Sequence, residues 1–332
     1  MNPKETNVIP KTILFLSLLL LLLSACNPQF PSAPSSTPIT VQLAWTHQAQ
    51  FAGMYAADQK GYYSAEGLAV TFSEGGSKVD KLTPVLDGTA QFGIAGADEL
   101  ILARAEGKPL RAIAVIYRRS PVVFISLAAK GITRPQDFVG KTIRAPANVA
   151  PSLRAMMARV GIAPGQYTIV DLPSDLTLFA SGDVPVWGMF LNSFLVIIRQ
   201  AGYKLNLIYP DDYGVHFYAD TLFTTDGLIA TNPELVQRFT RATLKGWTYA
   251  VENPAEVSAL VQKYKPDADA TLETAKMTAS LPLINTGEDQ IGWMKPEVWA
   301  AMETTLREQG VLTASLDVTQ VYTLQFVEEI YR

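Results

Sequence analysis

Few side chains in this 332-residue chain can do covalent chemistry: it has one cysteine, Cys26, and two histidines, His47 and His216. No His-x-x-x-His pair or cysteine-rich neighbourhood surrounds them, so no metal site is expected. No Ser/His/Asp arrangement or paired-carboxylate signature stands out either, so no catalytic residue and no cofactor are expected, and both histidines read as hydrogen-bonding side chains. The chain offers recognition chemistry instead. Trp45 follows the first strand-like run in a polar stretch, and its flat face and single N–H donor suit stacking on an aromatic ring; the alternative is a core tryptophan. Gly75-Gly76-Ser77 precedes a helix-like run, so the backbone around Gly76 and the Ser77 hydroxyl either hold a phosphate, carboxylate or carbonyl group or form a bare turn. Asp98 reads either as a helix N-cap or as a ligand contact. Gln50, Phe51 and Tyr55 lie on the first helix, where Phe51 and Tyr55 share a face at i, i+4 and core packing is expected to claim one of them.

Cys26 needs its own reading. Lys4 and Lys11 give the first segment a basic lean, and Ile13 to Leu23 run almost purely apolar up to Ser24-Ala25-Cys26. That is the layout of a signal peptide over residues 1–25, and the run is roughly half of the ~20 residues a membrane-spanning helix needs. Small residues before the cysteine let a peptidase reach the backbone, and the thiol supplies the nucleophile that becomes a thioether-linked lipid. Leu23-Ser24-Ala25-Cys26 resembles the bacterial lipobox. The expectation is an extracytoplasmic protein anchored to the bacterial cell membrane through a lipid on Cys26; the alternative is an ordinary secretory signal that happens to contain Cys26. Residues 26–38, rich in Pro and Ser and without periodicity, read as a flexible tether.

Composition bounds the remainder. Losing residues 1–25 removes Lys4, Lys11 and Glu5 and takes the net charge from −4 to −5. No basic patch stands out, so nucleic acid is not an expected partner. Residues 39–332 reach the size at which single cores stop growing, roughly 250 to 300 residues, so two lobes are expected. Strand-like runs at Thr40 to Leu43, Leu68 to Phe72, Gln91 to Ala95 and Leu110 to Tyr117 alternate with helix-like runs at Phe51 to Lys60, Val79 to Leu86 and Asp98 to Glu106. This alternation predicts a parallel sheet with helices on both faces. The pattern restarts at Val122, and after Thr231 the chain reads as mostly helical, opening on Asn232-Pro233-Glu234 with Asn as N-cap and Pro at N1. The C-terminal helices are expected to return to the first lobe, giving lobe 1 about 39–121 plus 222–332 and lobe 2 about 122–221. Two crossovers then form a hinge around a cleft. Ligands of such sheets sit beyond the strands' carboxyl ends, where Trp45, Gly76, Ser77, Asp98 and Tyr117 fall.

The run Gln42 to Ala57, then Lys60-Gly61-Tyr62-Tyr63 and Glu66-Gly67-Leu68, resembles the opening of solute-binding proteins of ABC importers. The group is the one related to sulfonate, nitrate and thiamine-pyrimidine binders. Gly93 to Asp98 and Phe239 to Trp247 followed by Asn253-Pro254 also match it, so the likeness covers about residues 40 to 265. It implies a periplasmic-binding-protein-like fold of type 2, an α/β fold of two hinged lobes that close on a small molecule. It also implies ABC permease and ATPase subunits as partners, and a monomer is expected. Ser181 to Asn192, Gly202-Tyr203, Tyr213 to Asp220 and Leu222 to Thr225 resemble the pyrimidine- and riboflavin-binding branch, which makes Phe190, Asn192 and Asp220 contacts on the second side. Trp45, Tyr55, Tyr117, Trp187, Phe190, Tyr213, Phe217 and Tyr218 would serve a planar heterocycle such as a thiamine pyrimidine precursor or riboflavin. The chain departs from that branch at Pro185, where an aspartate is usual, and at Ser193-Phe194, where Glu-Pro commonly follows the asparagine. Two alternatives are a sulfonate- or nitrate-type anion as ligand, and an enzyme resembling hydroxymethylpyrimidine phosphate synthase. The latter shares the fold and uses a lysine for pyridoxal phosphate, a histidine and a cysteine cluster. Here Ala95 and Glu99 stand where that lysine and histidine would be, and the cysteine cluster is absent.

Overall fold

The computed structural model describes residues 36–76 and 79–332, together with Met1. The expected signal peptide, Cys26, most of the expected tether and Ser77 lie outside the described residues. From Thr37 onward the chain forms one compact unit built on two five-stranded sheets.

The first sheet has the order β2-β1-β3-β10-β4, with β1 Thr37–Gln42, β2 Leu68–Ser73, β3 Phe92–Gly96, β4 Leu110–Val115 and β10 Asp220–Thr225. The second has the order β7-β6-β8-β5-β9, with β5 Val122–Leu127, β6 Thr142–Arg144, β7 Thr168–Val170, β8 Val186–Phe190 and β9 Leu205–Ile208. Alternating strands and helices do build both sheets, but neither is wholly parallel as the alternation predicted. β10 lies antiparallel between β3 and β4, and β5 lies antiparallel to both β8 and β9. Each inserted strand arrives through a crossover, at 116–121 for β5 and at 209–219 for β10, so the chain passes twice between the sheets.

Local differences have local causes. β1 begins at Thr37, inside the stretch read as tether. Thr37 N donates to Gly67 O on the β2 side, and Thr40 N donates to the Gln91 side chain on the other. Alternate residues therefore face opposite sides, and Pro38 turns its missing N–H toward β3, which pairs with β1 only at Val41 and Gln42. The helix read over Val79 to Leu86 shrinks to Thr83–Leu86, because Asp80 Oδ1 accepts from Leu82 N and Thr83 N and holds the preceding residues in a turn. The start at Asn232 is as read: Asn232 Oδ1 accepts from Leu235 N at 3.1 Å, and Pro233 opens the helix Pro233–Glu252.

That long helix covers the first sheet and packs on the helix Ala52–Gln59. A Cβ on Gly246 would lie 2.1 Å from Gly53 O, and one on Gly53 would lie 2.2 Å from the Trp247 ring, so both glycines are required for the crossing. The core beneath joins Phe92, stacked on Phe239, to Tyr55, Tyr117 and Trp247. A second core joins the other face of the first sheet to Phe124 of the second, to Phe138 of the 3-10 turn Pro135–Phe138 and to Trp299 of the helix Pro296–Glu308. Burying each such aromatic contributes about 2–3 kcal/mol, which holds rigid the strand ends that carry polar side chains. Among the described residues no helix is long and apolar enough to cross a membrane.

Candidate functional site

The carboxyl ends of β1 and β3 and the start of β10 share one edge, with Asp220 directly opposite Gly96. The loop after β1 carries Trp45, which is 38% exposed and therefore a surface side chain, not the core tryptophan of the alternative reading. Its carbonyl accepts from Gly75 N at 3.1 Å. A Cβ at Gly75 would sit 2.3 Å from Leu43 O, so glycine is what lets the two loops touch. Buried Gln42 ties them further, its Nε2 donating to Leu43 O and Glu74 O, both at 3.1 Å, and Glu74 Oε1 accepts from His47 N at 2.7 Å. Gly76 follows half-buried.

Gln50 lies in the 3-10 turn Ala49–Phe51 that leads into the first helix. Its Nε2 donates to both oxygens of Asp220, at 3.0 and 2.8 Å. Asp220 is 6% exposed, and no Lys or Arg of the described residues forms an ion pair with it. Burial pushes its carboxyl up to about 7, against the lowering effect of the Gln50 hydrogen bond and of Lys81. Lys81 is itself paired with Glu99 at 2.7 Å. Asp98 is not the N-cap: the helix Ala97–Ala105 begins one residue before it, and Glu99 Oε1 takes up Gly96 N at 3.3 Å. The Asp98 carboxylate folds over Gly96 instead, where a Cβ would lie 2.4 Å from Oδ1. Enclosure and the neighbouring Glu99 push its carboxyl up to about 6.

Tyr117, two residues past β4, is fully buried, and its backbone N–H bonds Asp220 O at 3.2 Å. Its hydroxyl donates to Ser280 Oγ and accepts from Asn192 Nδ2, each at 3.2 Å. Asn192, just past β8, is 6% exposed and donates also to Ser280 Oγ at 2.9 Å. Thus Gln50, Asp220, Tyr117 and Asn192 form one contiguous polar set spanning both sheets. Phe190 ends β8 half-buried beside it.

Other readings change. Phe51 and Tyr55 are both claimed by the core, at 1% and 0% exposure, where one was expected. The Tyr55 ring stacks on Tyr264 at 4.3 Å and its hydroxyl meets His47 Nδ1 at 2.7 Å. Trp187, Phe217 and Tyr218 are also buried, and the Trp187 indole N–H donates to Val184 O at 2.9 Å, so Trp45 is the aromatic among these that offers an open face. His216 pairs with Asp211 at an exposed position, consistent with a hydrogen-bonding role. Sequence reading missed Glu273, Lys276 and Ser280 of the helix Ala270–Ile284, which reach this region although no motif marks them. No group of three or more His, Cys, Asp or Glu among the described residues is arranged to hold a metal ion.

Comparison with known proteins gives consistent results. A family model described as NMT1/THI5 like matches residues 48–257, more than half of the chain. The riboflavin-binding protein RibY of Chloroflexus aurantiacus is 28% identical over 93% of this chain and 95% of its own. A formylaminopyrimidine-binding protein of Halalkalibacterium halodurans is 25% identical over 86% of this chain and 90% of its own. A protein of Legionella pneumophila named 4-amino-5-hydroxymethyl-2-methylpyrimidine phosphate synthase is 26% identical over 88% and 92%. Among solved structures, the periplasmic aliphatic sulphonate binding protein SsuA of Escherichia coli superposes with a TM-score of 0.68 at 15% identity, covering 87% of this chain and 92% of that one. At that identity the likeness concerns the fold, which is that of the two-lobed periplasmic binding proteins.

Proposed function

The chain belongs to the NMT1/THI5-like family, and from that premise we propose that it is the extracytoplasmic solute-binding component of an ABC importer for a small planar nitrogen heterocycle, such as a thiamine pyrimidine precursor or riboflavin. One observation carries the choice of ligand. An open indole, Trp45, shares a sheet edge with a buried carboxylate, Asp220, whose side-chain partner is the Gln50 amide. A buried acceptor of this kind favours ligand N–H groups and opposes a sulfonate or nitrate, whose charge has the same sign. The ring stacks on Trp45, its polar edge meets Asp220 and Asn192, and the lobes close about the two crossovers. Closure is stabilised only by contacts stronger in the closed state than in the open one.

Gly76, Ser77, Asp98 and Phe190 complete the cleft in this reading, with lobe 1 about 37–121 plus 220–332 and lobe 2 about 122–219. The lipid on Cys26 and a tether that ends where β1 begins at Thr37 hold a monomeric domain near its permease and ATPase, where confinement raises its effective concentration. An enzyme of the pyrimidine phosphate synthase type is disfavoured by two residues: Ala95 is buried in β3 and Glu99 is paired with Lys81, so neither supplies an amine or an imidazole there. The test is a thermal-shift screen of the purified domain against hydroxymethylpyrimidine, formylaminopyrimidine, riboflavin, thiamine, taurine and nitrate. Stabilisation by one or more heterocycles is expected; stabilisation by taurine or nitrate alone overturns the reading.

A further inference from the structure

An enclosed cation, Lys276, adjoins the polar set around Asp220. Lys276 Nζ lies 2.7 Å from Glu273 Oε1, with the two side chains 12% and 5% exposed. Lys276 also donates to Gln48 Oε1 over a longer 3.4 Å. From there the hydrogen bonds run into the cleft: Gln48 Nε2 donates to Gln50 Oε1 at 2.9 Å, and Gln50 Nε2 donates to Asp220. The other Glu273 oxygen accepts from Ala49 N at 2.6 Å and anchors the stretch that carries both glutamines to the same helix.

This relay has a sense. An ammonium only donates, so Gln48 must turn its oxygen toward Lys276 and its NH2 toward Gln50. Gln50 must then turn its oxygen toward Gln48 and its NH2 toward Asp220. Reversing either amide would set two donors or two acceptors against each other, so the network fixes both orientations. The charged groups that act on Asp220 from the sheet side, Lys81 and Glu99, are paired with each other and largely cancel, and Tyr117 packs behind it as a neutral phenol. The helix that carries Lys276, Ala270–Ile284, lies beyond residue 257, where the family match ends.

We infer that Lys276 is a positioning residue that fixes the donor–acceptor sense of Gln50 and Asp220 and thereby sets the cleft to receive ligand N–H donors in preference to ligand acceptors. The ligand clause rests on the heterocycle reading, whereas the relay is a property of the chain without ligand. Asp220 therefore reports on it directly. The ligand-free domain, labelled with 13C at aspartate carboxyls and assigned through Asp220→Asn, is titrated by NMR as wild type, Lys276→Gln and Gln48→Leu. Glutamine at 276 both donates and accepts, which lets the chain of amides reverse. Leucine at 48 cuts the relay while leaving the Lys276–Glu273 pair in place.

Each substitution is expected to raise the Asp220 midpoint by about half a unit or more, because Gln50 is freed to turn its donor away. Gln48→Leu decides the matter alone if Lys276→Gln fails to fold. An unchanged midpoint in Gln48→Leu overturns the relay, including the case in which Lys276→Gln shifts it through space. If both midpoints move while no heterocycle binds the wild type, the functional reading fails and the relay stands.

Discussion

Asn192, just past β8 of the second sheet, donates its side-chain amide at 2.9 Å to Ser280, on a helix that also anchors the loop after β1 of the first sheet. The same amide reaches the Tyr117 hydroxyl beside one crossover, so the contact spans the proposed hinge. In the proposed closure this contact forms only as the lobes meet, so removing it costs buried Ser280 and Tyr117 one donor in the closed form, while Ser280 keeps its bond to Lys276 O. Asn192→Ala should therefore weaken ligand binding by about 1–3 kcal/mol, roughly tenfold to a hundredfold in Kd. Small-angle scattering should show a larger radius of gyration for the variant at the same ligand concentration. Unchanged affinity and radius would mean that the contact does not bias closure.

Trp45 is 38% exposed and is the stacking surface of the proposed site. Trp45→Ala removes stacking and apolar burial in the complex but little from the free protein, where the ring is already partly in water. A loss of about 2 kcal/mol in affinity is expected, with a nearly unchanged melting temperature for the ligand-free domain. Isothermal titration with the best ligand of the screen, paired with a melt, separates the two. Equal affinity would remove Trp45 from the site.

How much of this was legible in the sequence follows from what each residue depends on. The exposure of Trp45 and the capping role of Asn232 could be read because both are local, one past a strand run and the other at a helix start. The place of β10 could not. Its neighbours β3 and β4 lie more than 100 residues away, and a six-residue strand with two apolar residues, Leu222 and Phe223, among threonines and Asp220 carries no mark of the direction in which it will pair. Phe51 and Tyr55 show the limit of helical spacing: i, i+4 puts two rings on one face, but Tyr264, which covers Tyr55, comes from a distant segment. Lys276 and Ser280 were silent because a lysine and a serine on a helix look like a solvated face until the first lobe folds over them.

Cys26 lies outside the described residues, so its role rests on Leu23 to Cys26. Expression in a bacterial host should give a membrane-associated chain whose N-terminal peptide carries the mass of a diacylglycerol-modified cysteine. Cys26→Ser should release the protein to the soluble extracytoplasmic fraction while leaving ligand affinity unchanged, because the site lies wholly within the folded domain. Retention of the variant at the membrane would point to another anchor.

Gly75 ties the Trp45 loop to the loop after β2 through a contact that only a residue without a side chain permits. Gly75→Ala drives a methyl against Leu43 O and Ala44, both backbone, so a loop must move. A cost of about 2–3 kcal/mol in chemical denaturation is expected, together with weaker ligand binding, since Trp45 moves with the loop. Gly76→Ala is the control for the stability arm alone: among the described residues its Cβ would meet Val79, at an ordinary 3.5 Å.

Asp220 makes the chain sensitive to pH in two directions that can be separated. Its carboxyl is pushed up to about 7 in the folded state, above the ordinary aspartate value near 3.8. A carboxyl raised on folding binds its proton more tightly in the native state, so its effect on stability is most favourable at low pH and is lost as pH rises from about 4 to about 7. Asp98, pushed up to about 6, acts with the same sign. Asp220→Asn should therefore flatten the fall in melting temperature across that window, leaving the smaller part due to Asp98. Ligand binding should run the other way. If N–H groups of the ligand donate to the ionised carboxylate, affinity rises with pH and levels off above 7, changing by at most about tenfold per pH unit. In Asp220→Asn this dependence should vanish and the plateau affinity should fall. Affinity that instead declines through pH 7 would show that the protonated acid is the binding form, with Asp220 acting as donor to the ligand, and would reverse the hydrogen-bond sense assigned to the cleft.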